Sequence, residues 1–199
     1  MKYIPDQSID LILTDPPYGT TQCKWDSIIP LDLMWNQLKR IIKPNGAIVM
    51  TASQPFTSIL VNSNLQMFKY DWVWHKSRPT GVLNAKKQPL RDKEDILVFY
   101  NKQPTYNPQG IEYKGKMVGT GATKANQEGN ATGVITQTDT GKYFQENGNY
   151  HRQVQYFKSE GKTIHPTQKP VALMEYLIKT YTNENETVLD FTAGSFTTG

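Results

Sequence analysis

An apolar run that halts at two consecutive prolines constrains this 199-residue chain more tightly than any other feature. Ile9-Asp10-Leu11-Ile12-Leu13-Thr14 reads as a short strand, and Asp15-Pro16-Pro17-Tyr18 follows it at once. Proline has no N–H to give to a sheet ladder, so the strand must stop there and the chain must leave the sheet as a loop. That loop gathers one carboxylate, stiff backbone carbonyls and a flat aromatic ring, a set that suits a planar amine. The carboxylate accepts a hydrogen bond from an exocyclic NH2, a carbonyl before or within the Pro-Pro pair accepts the second N–H, and Tyr18 stacks on the ring. Taken alone, the tetrapeptide is equally an ordinary proline-terminated strand end, so the rest of the chain has to decide.

Short apolar runs alternate with helical patterns through the first hundred residues, the pattern of strands joined by crossover helices in a mostly parallel sheet. Leu31, Leu33, Met34, Trp35, Leu38, Ile41 and Ile42 recur with helical spacing. Lys43-Pro44-Asn45-Gly46 then closes the helix, and Ala47-Ile48-Val49-Met50 reads as a buried strand. A second helix starts near Ser53-Gln54-Pro55, with serine as cap and proline in the first turn. Tyr70–Trp74 and Asp95–Tyr100 are further strands.

From about Asn101 to Ile164, Gly, Asn, Thr, Gln and Lys crowd out the aliphatic residues and neither period is sustained. This stretch reads as a loop-rich insertion rather than a second core. Order returns at Pro170, where Val171, Leu173, Met174, Leu177, Ile178 and Tyr181 trace one helical face. Thr187-Val188-Leu189-Asp190 is a final strand, leading into Phe191-Thr192-Ala193-Gly194-Ser195-Phe196.

The length fits one domain with a sizeable core. A net charge of +4 and a pI near 9.0 agree with a nucleic-acid partner without requiring one. Between residues 80 and 170 there are 13 lysines and arginines against 8 carboxylates, which locates the basic surface. Lys86, Lys87, Arg91, Lys114, Lys116 and Arg152 are its candidate nucleic-acid contacts. Aromatics such as Tyr106, Tyr113 and Tyr156 lie among the cations of this region, as where bases stack and phosphates are neutralised. The alternative is a solvated, glycine-rich surface loop. The single cysteine, Cys23, excludes an internal disulfide framework and fits a reducing compartment. His75, His151 and His165 show no ligand spacing, so no metal is expected. No apolar run approaches the roughly 20 residues of a membrane span and no signal-peptide core is present, so a cytoplasmic chain without a membrane partner is expected.

Three stretches, in this order, carry a resemblance: Asp15-Pro16-Pro17-Tyr18-Gly19, His165-Pro166-Thr167-Gln168-Lys169-Pro170 before a helix, and Val188-Leu189-Asp190 before a small-residue turn. Together they resemble the S-adenosylmethionine-dependent DNA amino-methyltransferases in their β arrangement, with the amine-binding motif first and the cofactor motif last. The resemblance covers nearly the whole chain, and Trp72-Val73-Trp74-His75-Lys76 adds to it. It implies an α/β, Rossmann-like methyltransferase sheet, mostly parallel and three-layered, with a loop-rich insertion. Residues 1–100 would be the catalytic half, 101–164 a target-recognition insertion, and 165–199 the start of the cofactor-binding half of the same domain. It also implies S-adenosyl-L-methionine as cofactor, double-stranded DNA as partner, and a prokaryotic or phage-infected cell.

In the residue roles that this resemblance implies, Asp15 and the Pro16 carbonyl hold the amine of a flipped base, Pro17 stiffens the loop and Tyr18 stacks on the base. His165, Thr167, Lys169, Asp190, Thr192 and Gly194 contact the cofactor, with Thr167 as helix cap and Lys169 or a backbone N–H on the methionine carboxylate. Aspartate at the head of the first motif points to adenine N6; serine is commoner in cytosine-N4 enzymes, which stay as the alternative.

The last turn departs from the family. A Phe-x-Gly-x-Gly turn is usual there, and alignment puts Thr192 on the Phe, Gly194 on the first glycine and Phe196 on the second. A side chain where the backbone must approach a cofactor predicts a blocked pocket or a loop forced open. The sequence also stops at Gly199, before the acidic residue that would hold the ribose hydroxyls. The expectation is a sheet truncated after the first cofactor strand, with a bare apolar edge. Such a chain would be a fragment, one half of a homodimer or of a pair with a complementing polypeptide, or a non-catalytic DNA-binding relative. An unrelated Rossmann-like nucleotide-binding protein would leave the Asp15 loop unexplained.

Overall fold

The computed structural model describes residues 1–21, 23, 26–119, 142–161, 168–194 and 196–199. They form two compact units, one made of Met1–Asn107 with Arg152–Gly199 and the other of Pro108–His151.

The larger unit contains β1 (Ile9–Thr14), α1 (Leu31–Ile41), β2 (Ile42–Ala52), α2 (Phe56–Ser63), β3 (Phe68–Thr80), β4 (Arg91–Phe99), β7 (Val154–Phe157), α3 (Val171–Tyr181) and β8 (Val188–Leu189). Its six strands lie in the order β7-β3-β4-β2-β1-β8. β1 pairs in parallel with both β2 and β8, and β3 with β7, whereas β4 is antiparallel to both its neighbours. β4 therefore runs alone against the other five strands. The central strands carry unbroken apolar runs, Leu11–Leu13, Ala47–Met50 and Ile96–Phe99, because both faces of the sheet are covered there. Ile12, Ile48, Met50 and Leu97 join the core containing α1 and α2, while Leu11, Leu13, Val49, Ile96 and Val98 join the core containing α3. The architecture is the expected three-layer, mostly parallel α/β sheet.

Three local expectations are corrected. The turn at Lys43–Gly46 does not separate a helix from a later strand. β2 begins as α1 ends, and Ile9 opposite Ile42 followed by Leu11 opposite Ala47 leaves Lys43–Gly46 as a bulge inside it. Gly46 is required there: a Cβ would lie 2.7 Å from the Asp10 carbonyl and 2.8 Å from the Ile42 side chain. Second, β3 and β4 run well past their apolar cores, to Thr80 and from Arg91, as a polar two-stranded ribbon. Hydrophobicity could not mark its length because its far end is exposed.

Third, strands exist where no period was legible. β5 (Glu112–Gly119) and β6 (Lys142–Gly148) form an antiparallel pair in the smaller unit, and β7 extends the main sheet. Residues 112–117 of β5 are exposed throughout, so neither of its faces writes an apolar alternation. Among the described residues no helix is long and apolar enough to cross a membrane.

The loop after β1 is held by one side chain. Asp26 accepts the backbone N–H groups of Gly19 at 2.8 Å, Thr20 at 2.9 Å and Thr21 at 2.7 Å. Desolvation pushes its carboxyl up, but the Thr21 hydroxyl and these three amides outweigh that and hold it below the ordinary value.

Two measurements test this architecture. Gly46→Ala is expected to cost about 1–3 kcal/mol in urea unfolding, because the added methyl meets backbone as well as a side chain. For Asp26 the folded carboxyl titrates below its unfolded value of about 3.9. Its stabilisation is thus full above that value and is lost as pH falls through the folded one. The amides of Gly19–Thr21 should lose hydrogen-exchange protection across that acid range, and Asp26→Asn should weaken their protection at neutral pH and remove this pH dependence.

Candidate active site

Because β1 and β8 are parallel neighbours, the loops that follow them leave the sheet at the same edge, where open α/β sheets bind ligands. Side chains fasten the two loops together. The Thr14 hydroxyl at the end of β1 donates to Asp190 Oδ1 at 2.7 Å and also contacts the Thr192 hydroxyl. Asp190 in turn accepts the Thr192 N–H at 3.0 Å and, on Oδ2, the Thr198 hydroxyl at 2.8 Å. Asp190 thereby folds the terminal turn back on its own strand end. A cleft of about 850 Å³ opens at this edge, lined by Asp15, Pro16, Pro17 and Tyr18 from one loop and Asp190, Thr192 and Gly194 from the other.

Asp15 is held by groups from several elements. Its Oδ1 accepts the Tyr18 hydroxyl at 2.8 Å and the Thr51 hydroxyl, and its Oδ2 accepts the Lys169 ammonium at 2.8 Å. Lys169, only 6% exposed, also pairs with Glu94 Oε2 at 3.2 Å, and Glu94 Oε1 pairs with Lys76 at 3.2 Å. Burial alone would pull the Lys169 ammonium down, but Asp15 and Glu94 outweigh it and hold it above the ordinary lysine value. It is a cation with three donors and no lone pair, unfit to act as a base. Burial, reinforced by Asp15 and Glu94, pushes the Tyr18 phenol well above its usual range, so it stays a neutral donor. Phe56 stacks on its ring at 5.5 Å between centroids, and the Lys169 ammonium stands 5.5 Å from the ring centre.

Of the residues chosen from sequence, Asp15, Pro16, Pro17, Tyr18, Lys169, Asp190, Thr192, Gly194 and Arg91 line this one cleft. His165 and Thr167 lie outside the described residues. At the start of α3, Pro170 holds the N-cap position and the Val171 N–H donates to the Glu160 carboxylate at 3.1 Å. Lys169, assigned from sequence to a cofactor carboxylate, is bound by Asp15 and Glu94. Lys86 and Lys87 are exposed between β3 and β4, and Arg152 is exposed just before β7. Lys114 and Lys116 belong to the smaller unit, where Lys114 pairs with Glu112.

Phe196 does not fill the cleft: its ring is 75% exposed and absent from the lining. The expectation of a blocking side chain is corrected to this extent. The backbone still records the glycine position, with φ of 57° at Phe196 and 42° at Gly194. A left-handed phenylalanine costs about 1–2 kcal/mol.

Sequence reasoning missed Thr51, Lys76 and Glu94, although a signal was present. Leu11, Leu13 and Asp15 share one face of β1 and its exit; Ala47, Val49 and Thr51 share the same face of β2, as do Trp72, Trp74 and Lys76 in β3 and Glu94, Ile96 and Val98 in β4. Each row turns polar at the cleft edge, and reading the period one step past the apolar run would have found all three.

Comparison with known proteins agrees with this fold. A DNA methylase family, the N6/N4 methyltransferases, matches residues 9–199. The type II methyltransferase M.HpaI of Haemophilus parainfluenzae is 26% identical over 99% of this chain and 61% of its own length. The DNA adenine methyltransferase YhdJ of Escherichia coli K12 is 29% identical over all of this chain and 69% of its own. The chain thus spans about three-fifths to two-thirds of these relatives. The crystal structure of the M1.HpyAVI–SAM complex superposes with a TM-score of 0.59 at 26% identity, covering 96% of this chain and 76% of that one. With its sheet and nearly its whole sequence in agreement, this chain belongs to the N6/N4 DNA methylase family.

Proposed function

We propose that this chain forms the amine-holding loop and part of the methyl-donor site of a DNA amino-methyltransferase that modifies the N6 amine of adenine. The observation that carries the reading is the single cleft bounded by both the Asp15 loop and the Asp190 turn. Its volume suits ligands of cofactor size. The turn is built to receive one: Thr192, Ala193, Gly194, Thr197 and Thr198 line the cleft with small or hydroxyl-bearing side chains. At Gly194 an added Cβ would find nothing nearer than 3.6 Å, so the backbone there is open to approach. Asp190, Thr192 and Gly194 are the residues that would hold S-adenosylmethionine. When bound, that cofactor supplies a methyl group on a sulfonium, an electrophile for an amine nitrogen.

Asp15 does the complementary work. A carboxylate offers about four acceptor directions, and Asp15 uses three on Tyr18, Thr51 and Lys169 among the described residues. One direction remains for an N–H of the incoming amine, and the Pro16 carbonyl supplies an acceptor for the other. The nitrogen lone pair of an exocyclic amine is delocalised into the ring, so orienting it and stabilising the positive charge that develops on it matter more than removing a proton in advance. The proton becomes acidic only once the nitrogen has been alkylated. Tyr18 offers the incoming base an aromatic wall backed by Phe56.

Aspartate at position 15 favours adenine, as does the name of YhdJ. The family's own scope, N6 and N4, keeps cytosine N4 as the second reading. Duplex DNA is the substrate class that the basic ribbon favours.

The test is modified-base sequencing of DNA from cells expressing the chain, alongside methyl transfer to duplex DNA in vitro. N6-methyladenine at one sequence context is expected, and N4-methylcytosine would overturn the adenine assignment. Asp15→Ala should lower the transfer rate by about 10²–10³-fold, the size of effect seen when one charge-stabilising group is removed. Duplex affinity should stay within about twofold. Equal losses of rate and affinity would contradict the role given to Asp15.

A further inference from the structure

The polar ribbon of β3 and β4 ends in a tip that the cleft does not explain. Between Arg78 and Arg91 the chain carries four cations, Arg78, Lys86, Lys87 and Arg91, and no carboxylate. None of the four has an ion-pair partner among the described residues. At the tip itself, Leu83 is 101% and Val82 68% exposed. The tip is not a loose loop. Gly81, with φ of 89°, turns the chain into a short helical turn at Val82–Asn84, and Lys87 N–H and Gln88 N–H both return to the Asn84 carbonyl at 2.8 and 3.0 Å. Where the tip joins the ribbon it is continuous with the cleft, because Arg78, Thr80 and Arg91 line the cleft. A preformed turn thus presents aliphatic side chains to water on a segment that carries four cations and no carboxylate, directly beside the cleft proposed to take the base.

Single exposed aliphatics are ordinary on protein surfaces, but this arrangement has a specific use. An enzyme that turns a base out of a duplex leaves a hole in the stack, and apolar side chains inserted between base steps fill such holes. We propose that the β3–β4 tip is a duplex wedge. Leu83, backed by Val82, enters the base stack in place of the base directed to the cleft, while Lys86, Lys87, Arg78 and Arg91 hold phosphates on either side. This rests on the duplex substrate proposed above.

The experiment needs no knowledge of the recognition sequence. The affinity of the full chain is measured by fluorescence anisotropy for a short labelled duplex and for the same duplex with one abasic site, where the hole already exists. The wild type should bind the abasic duplex about tenfold more tightly, since the base there need not be unstacked. Leu83→Ala should bind both duplexes alike, and Leu83→Phe should keep the preference. The double change Lys86→Ala with Lys87→Ala should weaken both duplexes equally and reduce the salt slope by about 2. Leu83 is wholly exposed, so its variants should unfold at the wild-type temperature.

An Leu83→Ala chain that keeps the full abasic preference would overturn the wedge while leaving duplex binding intact. Failure of the wild type to bind either duplex would overturn the substrate reading as well. Self-association of the wild type that Leu83→Ala abolishes, with no abasic preference, would assign the tip to a second copy of the chain instead.

Discussion

A buried ammonium fixes the geometry of this site. Lys169 cannot lie in the protein interior as a charge unless carboxylates compensate it, and two do, Asp15 from the loop after β1 and Glu94 from β4. Glu94 is shared with Lys76, so two cations and two anions close a neutral cluster. Each member depends on strand period: β1, β2, β3 and β4 all turn from apolar to polar on the face shared with α3. The aspartate that opens the motif is thereby aimed by Thr51 from β2, by Tyr18 from its own loop and by the residue that leads into α3. A carboxylate restrained on both oxygens loses little conformational freedom on meeting an amine, which is where a positioning group gains its effect.

The second constraint is the parallel pairing of β1 with β8. In sequence, Thr14 and Asp190 are 176 residues apart, yet they share a hydrogen bond at the sheet edge. The order of motifs along the chain is therefore immaterial to the chemistry. What matters is that the strand ending in Asp15 and the strand ending in Asp190 are neighbours with the same direction. Chain order decides only which connections must cross the sheet, and α3, packed on one face, makes the crossover into β8.

Where a strand was apolar on both faces or a helix strongly periodic, the sequence was legible: β1, α1, β4's inner half and α3 all lie close to their expected places. Cleft residues tied to a recognisable loop, Asp15 to Tyr18 and Asp190 to Gly194, were legible for the same local reason. The misses have two physical causes. β5, β6 and the outer ribbon of β3 and β4 are held by backbone pairing with little burial, so their side chains carry no alternation. Glu94, Lys76 and Thr51 matter through partners distant in sequence, and a polar residue one step beyond an apolar run looks like a strand end until its neighbour strands are known. Lys169 is the sharpest case, since its type and its place were both seen while its partner was not.

Charge, too, changes meaning once its partners are known. Counting cations between residues 80 and 170 spread the basic surface over half the molecule. Lys169 lies inside that span, yet it is spent on internal carboxylates, and Lys93 and Lys114 pair with Asp95 and Glu112. Such cations offer a phosphate less than their number implies, because a new anion must compete with one already bound. The stretch from Arg78 to Arg91 has no carboxylate to compete, and it adjoins the cleft through residues of its own ribbon. Cations free of such competition therefore stand beside the Asp15 loop, so that a surface favouring encounter with a polyanion and the surface proposed to hold the base are continuous in the fold.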